Sequence, residues 1–245
     1  MAQDVELSIW EHLTELRGRL FKALIALVVG SGISFAFAER VLRILEAPLG
    51  SSIPQTLYPT ETFVVVVRVC LILGLVLAMP VIVYQIVRFA LPGLEPQEKR
   101  YLYFLIPGVG ICFAAGVGFA MFLMLPAAIN FLQGFFTSII ENHWSLDNYI
   151  GFMTNVMFWM GVVFEMPLIM FFLAKLGLIT PKKLSGFRRY AIVLNAVIAA
   201  AVTPTPDPVN MAIVMIPLVL LYEVGVILAR IAVRGRKPGE VIAAS

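Results

Sequence analysis

The strongest constraint on the fold is one long apolar run, Met153–Leu173, MTNVMFWMGVVFEMPLIMFFL. About 20 mostly apolar residues in an α-helix cross the ~30 Å of hydrocarbon in a bilayer, at ~1.5 Å per residue. The chain is also 60% hydrophobic and only 13% charged, which falls outside the range of soluble globular domains. These features predict an all-α integral membrane protein in which residues 1–245 form a single domain.

One carboxylate interrupts this run near its middle. Glu165 would cost ~2.5–3.5 kcal/mol at the centre of a bilayer, so a chain rarely keeps such a group without a use. Pro167 has no amide proton and bends the helix, while Thr154 lies on nearly the same helical face. Two interpretations remain open: a buried carboxyl that bonds a neighbouring helix, or a polar spot in an intramembrane cavity. We favour the cavity.

Six apolar spans are expected, and the basic residues predict their orientation, because cytoplasmic loops carry an excess of Lys and Arg. Of the 18 Lys and Arg residues, all but Arg40, Arg43 and Arg68 flank the spans on one side. Both termini are therefore predicted to be cytoplasmic, with a tail at 230–245. The spans cover roughly 20–38, 63–87, 102–125, 149–176, 190–202 and 209–229.

Residues 1–19 have the pattern of a cytoplasmic amphipathic helix. Ile9, Leu13, Leu16 and Leu20 recur at helical spacing, which is typical of a helix lying along a membrane surface. The acidic residues in this segment argue against a cleaved signal peptide, whose beginning is basic.

Prolines and small residues predict a bent bundle that is partly open to water. Backbone groups freed by prolines inside the spans need neighbours or water. Between Arg189 and Pro204 the helix reaches only ~21 Å, so we expect short fifth and sixth helices. Gly110, Ala114 and Gly118 form a row that predicts a close helix contact. The prolines concerned are Pro80, Pro107, Pro126, Pro167 and Pro217.

No pattern indicates catalysis or a cofactor. Cys70 and Cys112 lie in apolar runs without a metal or redox spacing, and His12 and His143 are isolated. There is no GxxxxGK[ST] nucleotide-binding run, and an intramembrane hydrolase would need a paired nucleophile and base that the helices do not offer. The sequence therefore predicts no enzyme activity, no cofactor, no metal and no nucleic-acid partner.

Carboxylates among basic residues mark the cytoplasmic segment between the second and third spans, FALPGLEPQEKR. Glu95 and Glu98 are suited to a cationic partner, and a guanidinium is the natural match because its planar fork bonds a carboxylate bidentately. A structural interpretation competes: Glu98 can favour the dipole at the start of the third span. Similarly, Glu15 can simply pair with Arg19 four residues later.

The motifs resemble the TatC family, the multispanning core of the twin-arginine protein translocase. They occur in order over essentially the whole chain. The matching runs are HLTELRGRL (12–20), APL (47–49), MPVIVYQIVRFALPGLEPQEKR (79–100), FEMP (164–167), the turn at 203–207, and IPLVLLYEVGV (216–226).

The resemblance implies a receptor for twin-arginine signal peptides on folded export substrates, in a bacterial cytoplasmic (inner) membrane. The paired arginines would be read at the cytoplasmic face by Glu15 and Glu98, and export would draw on the proton-motive force. Further positions of this recognition surface match Arg17, Phe89, Leu94 and Arg100.

The resemblance also implies a concave, glove-like bundle with sites for partner proteins. Glu165 would face a glove-like cavity where single-span TatA- and TatB-type partners dock, with Thr154 and Met211 as further intramembrane positions. Pro48 would support assembly, including self-association, and Asp207 would be an acid of the outer turn. The chain departs from the family pattern at Met211, where a glutamine is common.

A second hypothesis comes from a different class of function. A lone mid-membrane acid also suits a proton-coupled small-solute transporter that uses Glu165 as its carrier group. Against it, the two halves of the chain show no matching broken helices, so no inverted repeat is found.

Overall fold

The computed structural model describes residues 9–50, 54–90, 96–134, 144–202 and 208–234. These ranges are almost entirely helical, and their only β-pairing is an isolated bridge between Gln55 and Ser145. A 3₁₀ turn covers Ala47–Leu49 and a π-helical turn covers Ala120–Met124. The α-helices are α1 (Ile9–Phe35), α2 (Ala38–Glu46), α3 (Glu61–Ala90), α4 (Pro96–Phe119), α5 (Leu125–Gly134), α6 (Leu146–Phe164), α7 (Met166–Lys175), α8 (Pro181–Gly186), α9 (Arg188–Val202) and α10 (Pro208–Val233).

Five helical segments of the described chain are long and apolar enough to cross a membrane, which confirms the predicted class of an all-α membrane protein. They correspond to five of the six expected spans. The third runs further than expected, because the π-helical turn carries α4 into α5 without a break. The segments are Leu13–Phe35, Glu61–Phe89, Ile106–Gly134, Leu146–Lys175 and Val214–Val233.

The last two helices differ in length. α9 has 15 residues, or ~22 Å, so the expectation of a short fifth helix is confirmed. α10 has 26 residues, or ~39 Å, so the expectation of a short sixth helix is wrong. α10 begins at Pro208, and the fixed φ of proline suits the first turn of a helix. The helix continues through Pro217 and past Ala229, where the predicted span ended.

The N-terminal segment is not a separate helix. α1 runs without interruption from Ile9 to Phe35, so the described residues before position 20 extend the first span. Gly18 does not break the helix, and the charges around it pair along one face, as Arg19 does with Glu15. Residues 9–19 are therefore helical as expected and continuous with the first span, and their position along a membrane surface stays a prediction.

Opposite ends of the bundle are held by different contacts. At one end, which we call the α2 end, the Tyr149 hydroxyl of α6 donates to the Leu45 carbonyl of α2 at 2.6 Å. At the other, the α8 end, the Tyr222 hydroxyl of α10 donates to the Leu184 carbonyl of α8 at 2.7 Å. These two hydrogen bonds attach α6 to α2 at one end and α10 to α8 at the other.

Small residues bring the central helices together. A methyl group at Gly116 of α4 would lie 2.5 Å from the Met160 carbonyl oxygen of α6 and 2.9 Å from the Cα of Gly161. Over Gly161 itself lies the ring of Phe113, which is completely buried. The close contact predicted for the row of Gly110 is found at Gly110 itself, where a methyl would lie 2.9 Å from the ring of Pro80 in α3. Gly118 has open space, and the approach to α6 is made by Gly116.

Candidate functional site

Glu165 sits at a break between two helices. It ends α6 and precedes α7; its backbone N–H donates to the Val162 carbonyl at 3.1 Å, and its own carbonyl accepts from Ile169 at 2.9 Å. Pro167 has no N–H to continue the α6 pattern, so the turn forms at the residue where the sequence predicts a bend. The side chain is 3% exposed. A carboxyl group is therefore held inside the bundle at a helix break.

The carboxyl group lines an apolar pocket of about 540 Å³. The walls come from α3, α4 and the α6–α7 pair, and Glu165 is the one ionisable residue among them. Its Oε1 atom is buried without a hydrogen-bond partner in the part of the chain that the structure describes. This arrangement can accept one hydrogen bond from, or donate one to, an otherwise apolar guest. The other lining residues are Met79, Val83, Ile86, Val87, Val109, Val162, Leu168, Ile169, Phe172, Leu173 and Leu178.

The other two intramembrane positions do not join Glu165 in this pocket. Thr154 is buried, and its hydroxyl donates to the Ile150 carbonyl of its own helix at 2.7 Å. Met211 is partly buried and packs against the central core. Eleven residues of α6 separate the two polar side chains, or ~16 Å along the axis. Glu165 is thus the single polar group of its pocket within the described residues.

Among the described residues, two of the expected recognition positions, Glu15 and Phe89, lie at the α8 end of the bundle. α1 and α3 meet where a methyl at Gly30 would lie 2.7 Å from the Gly74 carbonyl oxygen. The two helices are antiparallel, joined through α2, and Glu15 and Phe89 each lie fifteen residues, or ~22 Å, beyond that crossing. Both residues therefore lie at one level, at the same end of the bundle.

The third span brings its first turn to the same end. α4 begins at Pro96 and packs against α3 where a methyl at Gly110 would lie 2.9 Å from the ring of Pro80. Glu98 and Arg100 lie in the first turns of α4, but their side chains fall outside the described part of the structure, as does the whole of Leu94.

The α1 side of this region is charged and only partly exposed. Glu15 is bonded by the Arg19 guanidinium, with 3.0 Å between Arg19 Nε and Glu15 Oε1, so the pairing considered from the sequence is confirmed. Arg17 is exposed and Phe89 is partly buried. A ligand guanidinium that binds Glu15 would have to displace Arg19 from the carboxylate or bind the carboxylate together with Arg19.

At the α2 end, Pro48 lies in the 3₁₀ turn after α2 and is partly buried, while Asp207 lies outside the described residues. A carboxylate that the sequence analysis missed lies at this end. Glu61, the first residue of α3, is 6% exposed and accepts hydrogen bonds from two inter-helix segments. No pattern in the sequence around Glu61 indicated this role. Close by, Arg68, a basic residue inside an apolar run, forms an ion pair with the partly exposed Asp147 at 2.8 Å.

Comparison with known proteins gives a consistent result. The family profile described as "Sec-independent protein translocase protein (TatC)" matches residues 11–217. The TatC protein of Aquifex aeolicus is 41% identical over 93% of this chain and 96% of its own length. The chloroplastic TATC protein of Pisum sativum is 36% identical over 96% of this chain and 67% of its own length.

Solved structures match as well. A crystal structure titled as the twin arginine translocase receptor TatC is 40% identical and superposes with a TM-score of 0.75, covering 91% of this chain and all of that one. A second, determined in the detergent DDM, is 41% identical with a TM-score of 0.77, covering 89% of this chain. The agreement in sequence and fold extends over nearly the whole chain, which therefore belongs to the TatC family of Sec-independent protein translocase proteins.

Proposed function

We propose that this chain is the signal-peptide receptor of its translocase. As a member of the TatC family it is a core subunit of the twin-arginine translocase. The proposal is that it binds twin-arginine signal peptides at the cytoplasmic face and, with TatA- and TatB-type partners, exports folded proteins using the proton-motive force. The alternative of a proton-coupled small-solute transporter is not supported, since the family is one of protein translocation.

A single observation carries the proposal: Glu15 of α1, Phe89 of α3 and the first turn of α4 with Glu98 lie at one end of the bundle. A peptide with two adjacent arginines can place one guanidinium on each of two carboxylates that share a surface. Planar bidentate pairing discriminates arginine from lysine, because an ammonium group offers no fork. Leu94 and Arg100 would complete this surface, with Arg17 beside the first acid.

The two carboxylates would contribute unequally. A charge-assisted hydrogen bond is worth ~1.5–3 kcal/mol when both partners are otherwise solvated. Glu15 already holds Arg19, so an incoming arginine gains only the difference between two similar pairings. We therefore expect Glu98 to supply the larger part of the affinity.

The pocket at Glu165 would take the apolar part of the bound partners. Its walls are apolar, and its buried Oε1 offers one hydrogen bond, worth ~0.6–2 kcal/mol in a bilayer. The natural guest is an apolar segment of the signal peptide or a helix of a TatA- or TatB-type protein that carries one polar side chain. The exposed apolar face of α9, with Val193 and Val197, offers such a helix a second surface.

The remaining parts of the proposal concern topology and assembly. The chain would cross the bacterial cytoplasmic membrane six times with both termini inside, so that the α8 end faces the cytoplasm. Pro48 and Asp207 would then lie at the outer face, with Pro48 supporting self-association in the complex. The subunit would act by binding and would not itself catalyse a reaction.

Photocrosslinking tests the recognition surface directly. Probes placed beside Glu15 and Glu98 should capture a twin-arginine signal peptide, and the yield should fall severalfold for Glu98→Ala and for a Lys-Lys signal. Glu39→Ala, at an exposed carboxylate of α2 at the other end of the bundle, is the matched control and should leave the yield unchanged. Undiminished crosslinking with Glu98→Ala and with the Lys-Lys signal would refute the proposal.

A further inference from the structure

A buried carboxylate joins two segments that are far apart in the sequence. Glu61 Oε2 accepts from the backbone N–H groups of Leu57 at 2.6 Å and Tyr58 at 3.2 Å. Its Oε1 accepts from the backbone N–H of Asp147 at 2.6 Å and the hydroxyl of Ser145 at 3.2 Å. Each oxygen thus takes two donors, and each serves a different segment. We call these segments the first connection (54–61) and the second connection (144–149).

Further bonds tie the same two connections together. The Gln55 N–H donates to the Trp144 carbonyl at 2.8 Å, and the Leu146 N–H donates to the Gln55 carbonyl at 3.0 Å. From α3, the Arg68 guanidinium forms an ion pair with the carboxylate of Asp147, at 2.8 Å, and donates a hydrogen bond to the Asp147 backbone carbonyl, at 3.2 Å. These contacts surround Glu61 with a network that crosses from the start of α3 to the start of α6.

Only a carboxylate fits the centre of this network. Glu61 faces four donors, and an ionised carboxylate is acceptor-only with about four lone-pair sites. A glutamine of the same shape has one acceptor oxygen, and its amide N–H groups would face two donors. Substitution by glutamine therefore detaches at least one of the two connections while leaving the side-chain volume almost unchanged.

The network fixes where α6 begins. Asp147 lies in the first turn of α6, and a methyl group at Gly151, one turn later, would collide with the Arg68 guanidinium. Glu165 follows the last residue of α6, eighteen residues or ~27 Å from Asp147. A shift at the start of α6 is therefore carried along the helix to the pocket carboxylate.

We propose that Glu61 is a positioning residue for translocation. Its hydrogen bonds hold the first and second connections together, and we call this set of bonds the lock. The lock keeps α6, and with it Glu165, in a fixed position relative to α3. The lock acts at the end of the bundle opposite Glu15, so its loss leaves signal-peptide binding intact and impairs the later steps of transport. This second half rests on the proposed receptor function. The lock itself does not.

Hydrogen exchange tests the lock independently of any signal peptide. In the full chain in nanodiscs, Glu61→Gln should speed amide exchange at least tenfold in residues 57–58 and in residues 145–147 together. Glu39→Gln, the same chemical change at an exposed carboxylate, should alter neither region. Faster exchange confined to 57–58 would show that Glu61 merely caps α3, and would overturn the proposal.

A transport assay tests the consequence. Glu61→Gln should reduce export at least fivefold while signal-peptide crosslinking stays within twofold of the wild type. A disulfide between Gln55→Cys and Ser145→Cys, which face each other in the bridge, should restore export to the variant by replacing the lock. Export that is normal in Glu61→Gln, or that the disulfide fails to restore, would overturn the positioning role.

A milder variant keeps the test decisive if Glu61→Gln does not fold. Ser145→Ala removes one of the four donors and leaves the carboxylate in place. It should speed exchange in residues 145–147 severalfold and leave 57–58 unchanged. Unaltered exchange in both regions would show that the second connection does not depend on this network.

Discussion

Replacing Glu165 by leucine should stabilise the isolated subunit while it abolishes partner docking. The carboxyl group is 3% exposed, its Oε1 has no hydrogen-bond partner in the described chain, and the pocket around it is otherwise apolar. A buried polar atom without a partner costs ~1–3 kcal/mol. A leucine of similar length removes that cost and adds apolar contact, so Glu165→Leu should gain ~1–3 kcal/mol in the free energy of unfolding.

The assay is thermal unfolding of the purified subunit in one detergent. For a domain of this size, each kcal/mol shifts the melting temperature by ~2–4 °C, so the expected increase is ~2–12 °C. Thr154→Val is the matched control: its hydroxyl is already bonded within α6, so its removal should change stability by less than ~1 kcal/mol. Co-purification of TatA- or TatB-type partners should fall severalfold with Glu165→Leu.

The result also separates the two interpretations that the sequence left open. If the carboxyl were a buried group satisfied by a neighbouring helix, its replacement would leave that neighbour unpaired and would lower stability. A melting temperature below that of the wild type would therefore refute the account of Glu165 as a group kept for a partner. A gain in stability with a loss of docking is the trade-off expected of a functional site.

Three further predictions follow from individual contacts. Gly116→Val should lower the free energy of unfolding, measured by thermal unfolding, by ~1–3 kcal/mol, because the added side chain would meet the α6 backbone. Gly118→Ala, at a position with open space, should be neutral or stabilising in the same assay. Tyr149→Phe should cost ~1–3 kcal/mol in the same assay, because it leaves the Leu45 carbonyl without its donor; unchanged stability would show that the bond contributes nothing. Arg19→Ala should tighten signal-peptide binding about twofold in a fluorescence titration, because it removes an i,i+4 competitor worth ~0.3–0.5 kcal/mol; weaker binding would show that Arg19 assists recognition.

The spans were predictable because hydropathy depends only on the local sequence. The bend at Glu165 followed from the same local chemistry, since Pro167 must interrupt the helix wherever it lies. The continuity of α1 was not predicted: apolar residues at helical spacing before the first span are typical of a surface helix, but here they belong to one helix that runs on into the span. The length of α10 was missed because the short reach between Arg189 and Pro204 limits only the fifth helix and not the sixth.

Contacts between distant segments could not be predicted from composition or periodicity. Glu61 and Asp147 are 86 positions apart, and nothing in either local sequence indicates the other. The row of Gly110, Ala114 and Gly118 predicted a close helix contact without its partner; in the structure Gly110 meets α3, Gly118 has open space, and Gly116, outside the row, meets α6. Helical spacing identifies a face of small residues, but only the packing of the neighbouring helix decides which of them is used.

A double-mutant cycle between the signal peptide and the α8 end measures directly whether Glu98 and Glu15 bind the paired arginines. Binding affinities would be determined for wild-type and Glu98→Gln protein with Arg-Arg and Lys-Lys peptides, and the cycle repeated with Glu15→Gln. We expect a coupling free energy of ~1.5–3 kcal/mol for Glu98 and a smaller one for Glu15, which already holds Arg19. Additive effects in both cycles, with no coupling at either carboxylate, would show that these residues do not recognise the arginines.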